Sequence, residues 1–196
     1  MQRFLTALLL LSIPGVSAAE VRHYMAVFAF QDRVNLPKNS HTWAGFTAVE
    51  GERGTSETVS ISWMPRTLQV VFAGATETGI NLGVRDSIDL GRRQGFRVTQ
   101  WGPYLIHPEL FARAKRQSER LDRNEIAYQC LDASARPHQG SNCIHAVADI
   151  DTDHGLLRTG IARGRLASRM VLWHLRRWIL DDGRPHPEVG LLMGID

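Results

Sequence analysis

The chain has 196 residues, of which 43% are hydrophobic and 22% are charged, and its formal net charge is +3. This length suits one domain with a substantial core, and so small a positive charge gives no support to nucleic-acid binding through charge. We therefore expect a single folded domain that has no nucleic acid among its partners.

The N-terminus has the pattern of a secretory signal peptide. Arg3 supplies a positive start, an apolar stretch runs from Phe4 to Val16, and small residues follow up to Ala18. The apolar stretch is shorter than the about 20 residues that a bilayer-spanning helix needs. We predict a signal peptide at 1–19 and one domain at 20–196. The expected location is a periplasm or the outside of the cell, with no stable membrane insertion.

The first half of the domain is rich in β-strand patterns. Four segments have this character, at 21–30, 41–49, 58–63 and 67–73. In the second segment, alternation places His41 and Trp43 on one face. Thr42 and Ala44 then lie on the other face.

The second half mixes helices with strands. Helices are predicted at 80–94, 108–123, 143–150 and 164–180, and strands at 96–101 and 125–131. In the last helix, the spacing of Trp173 and Trp178 with Leu166 and Met170 predicts core positions. The expected fold class is therefore α+β, with an antiparallel β-sheet packed against a few helices.

Cys143 has a reactive thiol and stands at the start of a predicted helix. Ser141 or Asn142 is a suitable N-cap, so the thiol would lie in the first turn. The positive end of the helix dipole stabilises an anion there and can lower the pKa of a thiol. A nucleophile also needs a base, and among the eight histidines His41 is the best candidate because it opens a strand beside Ser40.

Two short motifs, SHTWAGF at 40–46 and SNCIHAV at 141–147, resemble those of the circularly permuted papain-like cysteine enzymes. These are the lecithin:retinol acyltransferase-like and NlpC/P60-type families, in which the histidine precedes the nucleophile. The resemblance implies a permuted papain-like fold, with Cys143 as nucleophile and His41 as base. It also implies that the Cys143 backbone N–H belongs to an oxyanion hole, that His145 is a supporting residue facing away, and that no cofactor is needed.

The third catalytic member stays open at this point. The segment TVSISW at 58–63 has no second histidine, which the acyltransferase branch usually places there. Glu57, Ser60 or Ser62 could orient His41 instead. For substrate binding, Trp43, Trp101 and Tyr104 are candidates to line a cleft, although packing of a strand end on a core explains them equally well.

Two other hypotheses concern the role of Cys143. In an oxidising compartment, Cys130 and Cys143 could form a disulfide in a binding or structural module without catalysis. Zinc binding by Cys143 with His145, His41 or His138 is disfavoured, because the spacing matches no structural zinc pattern. The acidic segment ADIDTDHG at 148–155 does not complete a calcium loop either, so we expect no metal.

The leading prediction is a secreted cysteine hydrolase. It would cleave an amide bond, such as a peptide bond of peptidoglycan, or an ester bond, through Cys143 and His41. The expected partner is accordingly a peptide, cell-wall or lipid-derived substrate. The alternative is the non-catalytic secreted module with the Cys130–Cys143 disulfide.

Overall fold

The computed structural model describes residues 20–51, 56–70, 75–131, 140–153, 155–160 and 162–195. The predicted signal peptide lies outside these ranges. Within them, no helix combines the length and apolar character that a membrane span requires.

Six strands and four α-helices make up the described chain. In order they are β1 (Val21–Gln31), β2 (Ser40–Glu50), β3 (Ser56–Ile61), β4 (Trp63–Pro65), β5 (Gly79–Asn81), α1 (Val84–Arg93), β6 (Arg97–Ile106), α2 (Pro108–Asp122), α3 (Cys143–Ala148) and α4 (Gly164–Leu175). Short 3-10 helices lie at Pro37–Asn39, Arg176–Trp178, Asp181–Gly183 and Pro187–Met193. The main sheet is antiparallel with strand order β3-β2-β1-β6, and β4 pairs with β5 separately. The predicted α+β class with an antiparallel sheet is confirmed.

The main sheet is covered on both faces, which explains the continuous apolar run in β1. Met25 and Val27 belong to a core shared with α2, α3 and α4, which we call the three-helix face. Phe28 and Phe30 belong to a second core with α1 and the last 3-10 helix, which we call the α1 face. The alternation predicted for β2 is confirmed, because Trp43 packs in the second core and Ala44 in the first.

One edge of β2 is left open, and this feature positions the site described below. β2 pairs with β1 along its whole length. Pairing with β3 ends at Ala44 and Ile61. The chain then passes through Ser62 into β4, so the first residues of β2 have no β3 partner beside them.

Several predicted boundaries were wrong for local reasons. The helix predicted at 80–94 starts at Val84, because the Asn81 side chain bonds Ser60 O and Ser62 N and holds β5 extended. The strand predicted to end at 101 continues to Ile106, since β6 is an edge strand and tolerates Pro103.

Other differences concern the segments that approach the site. The strand predicted at 125–131 is not continuous: Tyr128 makes isolated bridges with Glu77 and Ser141. The described part of the segment at 67–73 forms no strand, and its end lies outside the described residues. The helix predicted at 143–150 ends at Ala148, and that at 164–180 ends at Leu175 before a 3-10 turn.

The acidic segment after α3 anchors the C-terminal helices. The buried Asp151 carboxylate accepts hydrogen bonds from Arg177 and from Trp178 Nε1 at 2.9 Å. Its backbone carbonyl contacts His174 Nε2 at 2.9 Å. Asp153 forms an ion pair with Arg113. Arginine and tryptophan side chains thus bind the Asp151 carboxylate, and an arginine pairs with Asp153. These contacts hold the segment against its neighbouring helices.

We predict that Gly79→Ala destabilises the protein. A Cβ at this position of β5 would overlap the buried indole of Trp63 in β4. Overpacking of this kind costs about 1–3 kcal/mol of the free energy of unfolding, which urea denaturation measures. Gly190→Ala is the matched control, because its Cβ would meet Ile195 at an ordinary 3.8 Å. Equal stability of the two variants would contradict the packing described for β4 and β5.

Candidate active site

A cavity of about 160 Å³ lies at the open edge of β2. It is bounded by the start of β2, the segment around Tyr128, the first turn of α3 and the approach to α4. Its lining residues are Pro37, Ser40, His41, Thr42, Val70, Tyr128, Cys130, Leu131, Asn142, Cys143, Ile144, Thr159, Gly160, Ala162, Arg163 and Gly164. Both members of the predicted catalytic pair therefore contribute to one cavity.

Cys143 is the first residue of α3, as the sequence predicted. Asn142 is the N-cap: its Oδ1 accepts hydrogen bonds from Ile144 N at 2.9 Å and His145 N at 3.0 Å. This cap satisfies two of the first-turn N–H groups and fixes the direction in which the helix starts. The buried apolar side of α3 packs on the three-helix face, and Cys143 lies half-buried at its edge.

A chain of hydrogen bonds determines which nitrogen of His41 carries the proton. Ser87 Oγ donates to Gly83 O at 2.8 Å, because a carbonyl can only accept. Ser87 has one hydroxyl proton, so in its 2.7 Å contact with Ser62 the donor is Ser62. Ser62 must then accept from His41 Nε2 at 2.8 Å. His41 is therefore the Nε2–H tautomer, and Nδ1 carries the lone pair.

Nδ1 is the ring nitrogen that can accept a proton. The hydrogen bond of the ring to Ser62 uses Nε2, so the Nδ1 lone pair is not needed for it. His41 itself contributes to the cavity wall. Burial lowers the pKa of His41 to about 3, because a charged ring is poorly solvated there. The ring is therefore a neutral proton acceptor at ordinary pH.

The imidazole and the thiol approach the cavity from different sides of the sheet. The His41 ring stacks on Trp43 with centroids 5.3 Å apart and tilts against Phe30, on the α1 face. Cys143 packs against the three-helix face. Both residues line one cavity because β3 has ended and the edge of β2 is open.

Tyr128 and Cys130 complete the cavity, and Tyr128 is a functional candidate that the sequence reasoning missed. Burial raises the pKa of Tyr128 far above its usual value, and the nearby Cys143 and Cys130 sulfurs raise it further. The phenol therefore stays a neutral hydrogen-bond donor beside both sulfurs. The available signal was the spacing of Tyr128 and Cys130, which alternation places on one side of an extended segment.

Of the residues that were candidates to orient His41, one contacts its ring and the others do not. Ser62 orients His41, as one of the three candidates. Within the part of the chain that the structure describes, Ser60 Oγ has no hydrogen-bond partner. Glu57 pairs with Lys115 beside Ala48, toward the far end of β2. His145 is buried, its Nε2 lies 3.0 Å from Leu157 O, and it is not among the residues that line the cavity.

The predicted substrate-binding aromatic residues lie elsewhere, so this expectation needs correction. Trp43 is 0% exposed and packs between Phe28 and His41, so it is part of the core. Trp101 and Tyr104 lie on β6, which β1 separates from β2. Neither of them lines the cavity. Both are half-buried within β6, which extends past them to Ile106, so they do not lie at a strand end either.

The alternatives for the cysteines can be compared with the same geometry. No disulfide joins Cys130 and Cys143 in this structure, although both line the cavity. Among the described residues, no group of three or more His, Cys, Asp or Glu side chains is arranged to hold a metal ion. His138, considered above as a zinc ligand, lies outside the described residues.

Comparison with models of known protein families gives no match, and neither the curated proteins nor the solved structures give a significant one.

We predict that His41 makes the protein sensitive to acid. Its pKa is 6.5 when unfolded and about 3 when folded. Between these values only the unfolded chain takes up the proton, so the free energy of unfolding falls as pH decreases. The slope approaches about 1.4 kcal/mol per pH unit and vanishes below both pKa values. Urea denaturation from pH 7 to 4 should show this component in the natural chain and its loss in His41→Gln; an unchanged slope in the variant would contradict the burial of a neutral ring.

Proposed function

We propose that the protein is a cysteine hydrolase of the permuted papain-like kind, with Cys143 as nucleophile and His41 as base. The observation that carries this proposal is the hydrogen-bond chain through Ser62 and Ser87, because it leaves the Nδ1 lone pair of His41 able to accept a proton, and His41 and Cys143 line the same cavity. A nucleophile, an oriented base and an orienting third group are the parts that covalent catalysis requires. Ser62 takes the third place.

The reaction begins as Cys143 Sγ adds to the carbonyl carbon of the substrate while His41 Nδ1 accepts the thiol proton. The imidazolium then returns this proton to the leaving amine or alcohol, and an acyl-thioester remains on Cys143. Nδ1 next takes a proton from water, whose oxygen attacks the thioester. Collapse releases the carboxylic acid and regenerates the thiol, with Nδ1 returning the proton to Sγ.

The low pKa of His41 determines when the proton moves. Because burial disfavours the imidazolium, the resting pair is a neutral thiol and a neutral imidazole. Negative charge that develops on the substrate oxygen stabilises the imidazolium beside it. Proton transfer is therefore coupled to attack on the carbonyl and does not precede it as a stable ion pair.

Tyr128 is placed to stabilise the charge that forms. Its hydroxyl is a neutral donor, and it lies close enough to both sulfurs for their charge to raise its pKa. It therefore suits a developing thiolate or a substrate oxyanion beside Cys143. A preorganised donor in a site with little water is worth more than the same donor in solvent.

The cavity favours a small acyl group. Its volume is about 160 Å³, close to that of a protein cavity of about 150 Å³ that binds benzene. Val70, Leu131, Ile144 and Ala162 make much of its wall apolar. We therefore propose that a short side chain or acyl segment of a peptide, cell-wall or lipid-derived substrate enters it, and that the chain is exported to meet such substrates.

Small p-nitrophenyl esters and anilides test the proposal. Cys143→Ala should lower turnover on the order of 10³-fold, since it removes the nucleophile, and His41→Gln on the order of 10²-fold, since it removes the base. Cys130→Ala is the matched control, because it removes the neighbouring thiol of the same cavity and should retain activity. Thermal unfolding of each variant checks that the fold is intact, and full activity of Cys143→Ala would end the proposal.

The second candidate is the binding module in which Cys130 and Cys143 form a disulfide. It is favoured by one observation: both cysteines line the same cavity and both raise the pKa of Tyr128. If Cys130 and Cys143 form this disulfide, iodoacetamide would label neither cysteine before reduction. The hydrolase instead predicts labelling of Cys143 in protein purified without reductant.

A further inference from the structure

Helix α4 has a second apolar side that the fold does not cover. Its inner side buries Ala167, Val171 and Leu175. On the outer side, Leu166 is 57% exposed and Trp173 is 63% exposed, so the core position predicted for Trp173 was wrong. Met170 lies between them at helical spacing and is partly buried. These three residues form one stripe, about 10 Å long at the helical rise of about 1.5 Å per residue.

This stripe forms one wall of a surface groove. The groove has a volume of about 610 Å³, and its other wall is the segment of Leu156, Leu157 and Arg158. Leu156 is also exposed, at 39%. Contiguous exposed apolar surface of this kind marks a contact site more often than isolated exposed residues do.

The charge carried by this part of the chain has one sign. Residues 155–180 contain six arginines and no aspartate or glutamate. Arg177 forms an ion pair with Asp151. Arg165 and Arg169 of α4, and Arg176 directly after it, are exposed. The Arg176 guanidinium lies 4.9 Å from the centre of the Trp173 ring. Fixed positive charge thus flanks an exposed aromatic and aliphatic stripe.

We propose that the outer side of α4 docks on the surface of a bilayer that contains anionic phospholipid. Tryptophan and leucine on one side of a helix insert at the boundary between headgroups and acyl chains, with the helix in the plane of the surface. Arginines beside them bind the phosphates and are attracted by the negative surface potential. The stripe and its arginines have this composition, and the docking does not depend on the thiol chemistry proposed above.

Vesicle flotation of the purified protein tests the docking. We expect binding to vesicles of phosphatidylcholine with 30% phosphatidylglycerol, much weaker binding to pure phosphatidylcholine, and loss of the difference in high salt. The readout is the difference between the two vesicles, which removes any binding that does not depend on vesicle charge. Equal binding to both would overturn the proposal.

Paired charge variants locate the surface. Each arginine near an anionic surface strengthens binding about fivefold, so Arg165→Gln with Arg169→Gln should weaken it about 25-fold. The matched control is Arg92→Gln with Arg93→Gln, which removes the same charge from exposed positions of α1 across the sheet. Equal losses in the two double variants would overturn the proposal.

Trp173→Ala tests the apolar part and separates a bilayer from an acidic protein. It should reduce flotation and abolish quenching of tryptophan fluorescence by brominated phosphatidylglycerol acyl chains, because Trp173 is the tryptophan that enters the bilayer. Quenching that persists in Trp173→Ala would overturn the proposal, as would binding to polyglutamate without binding to the vesicles.

Discussion

The hydrogen bond between His41 Nε2 and Ser62 Oγ is the interaction on which the candidate active site depends. It sits in a buried chain whose direction is set at its far end by the Gly83 carbonyl. Each hydroxyl has one proton. Because Ser87 donates to the Gly83 carbonyl, Ser62 must donate to Ser87, and His41 must donate to Ser62. An unpaired Nε2–H in this buried place would cost about 1–3 kcal/mol, and that cost keeps the ring in one tautomer. The same burial lowers the pKa of the ring and keeps it neutral.

The site exists because one strand ends early. Ser62 lies between β3 and β4, and the Asn81 side chain accepts its N–H at 2.8 Å. The break leaves the start of β2 without a β3 neighbour, and groups from both faces of the sheet can line a common cavity there. Had β3 continued, His41 and Cys143 would be separated by a closed sheet. The open edge therefore connects the fold to the chemistry.

The sequence predicted local features well and contacts between distant segments poorly. The cap at Asn142 and the alternation of His41 with Thr42 follow from short-range geometry, and both are confirmed. The choice of Ser62 over Glu57, and the position of Tyr128, depend on where β3 ends and how the 125–131 segment folds. Trp43 and Trp173 were each assigned to the wrong environment. Their exposure depends on which face receives α1 and on which side of α4 stays uncovered, and periodicity does not specify either.

The rate at which iodoacetamide alkylates Cys143 between pH 5 and 8 tests the central claim most directly. The measurement uses Cys130→Ala protein, with and without His41→Gln, and mass spectrometry locates the label. If neutral Nδ1 accepts the thiol proton during attack, the alkylation rate of the Cys130→Ala protein with His41 intact stays nearly constant from pH 5 to 8. The reason is that His41 is unprotonated throughout this range. His41→Gln should then restore the tenfold rise per pH unit of a free thiol with a pKa of about 8.5. The same steep rise in both proteins would contradict the claim that His41 acts on Cys143.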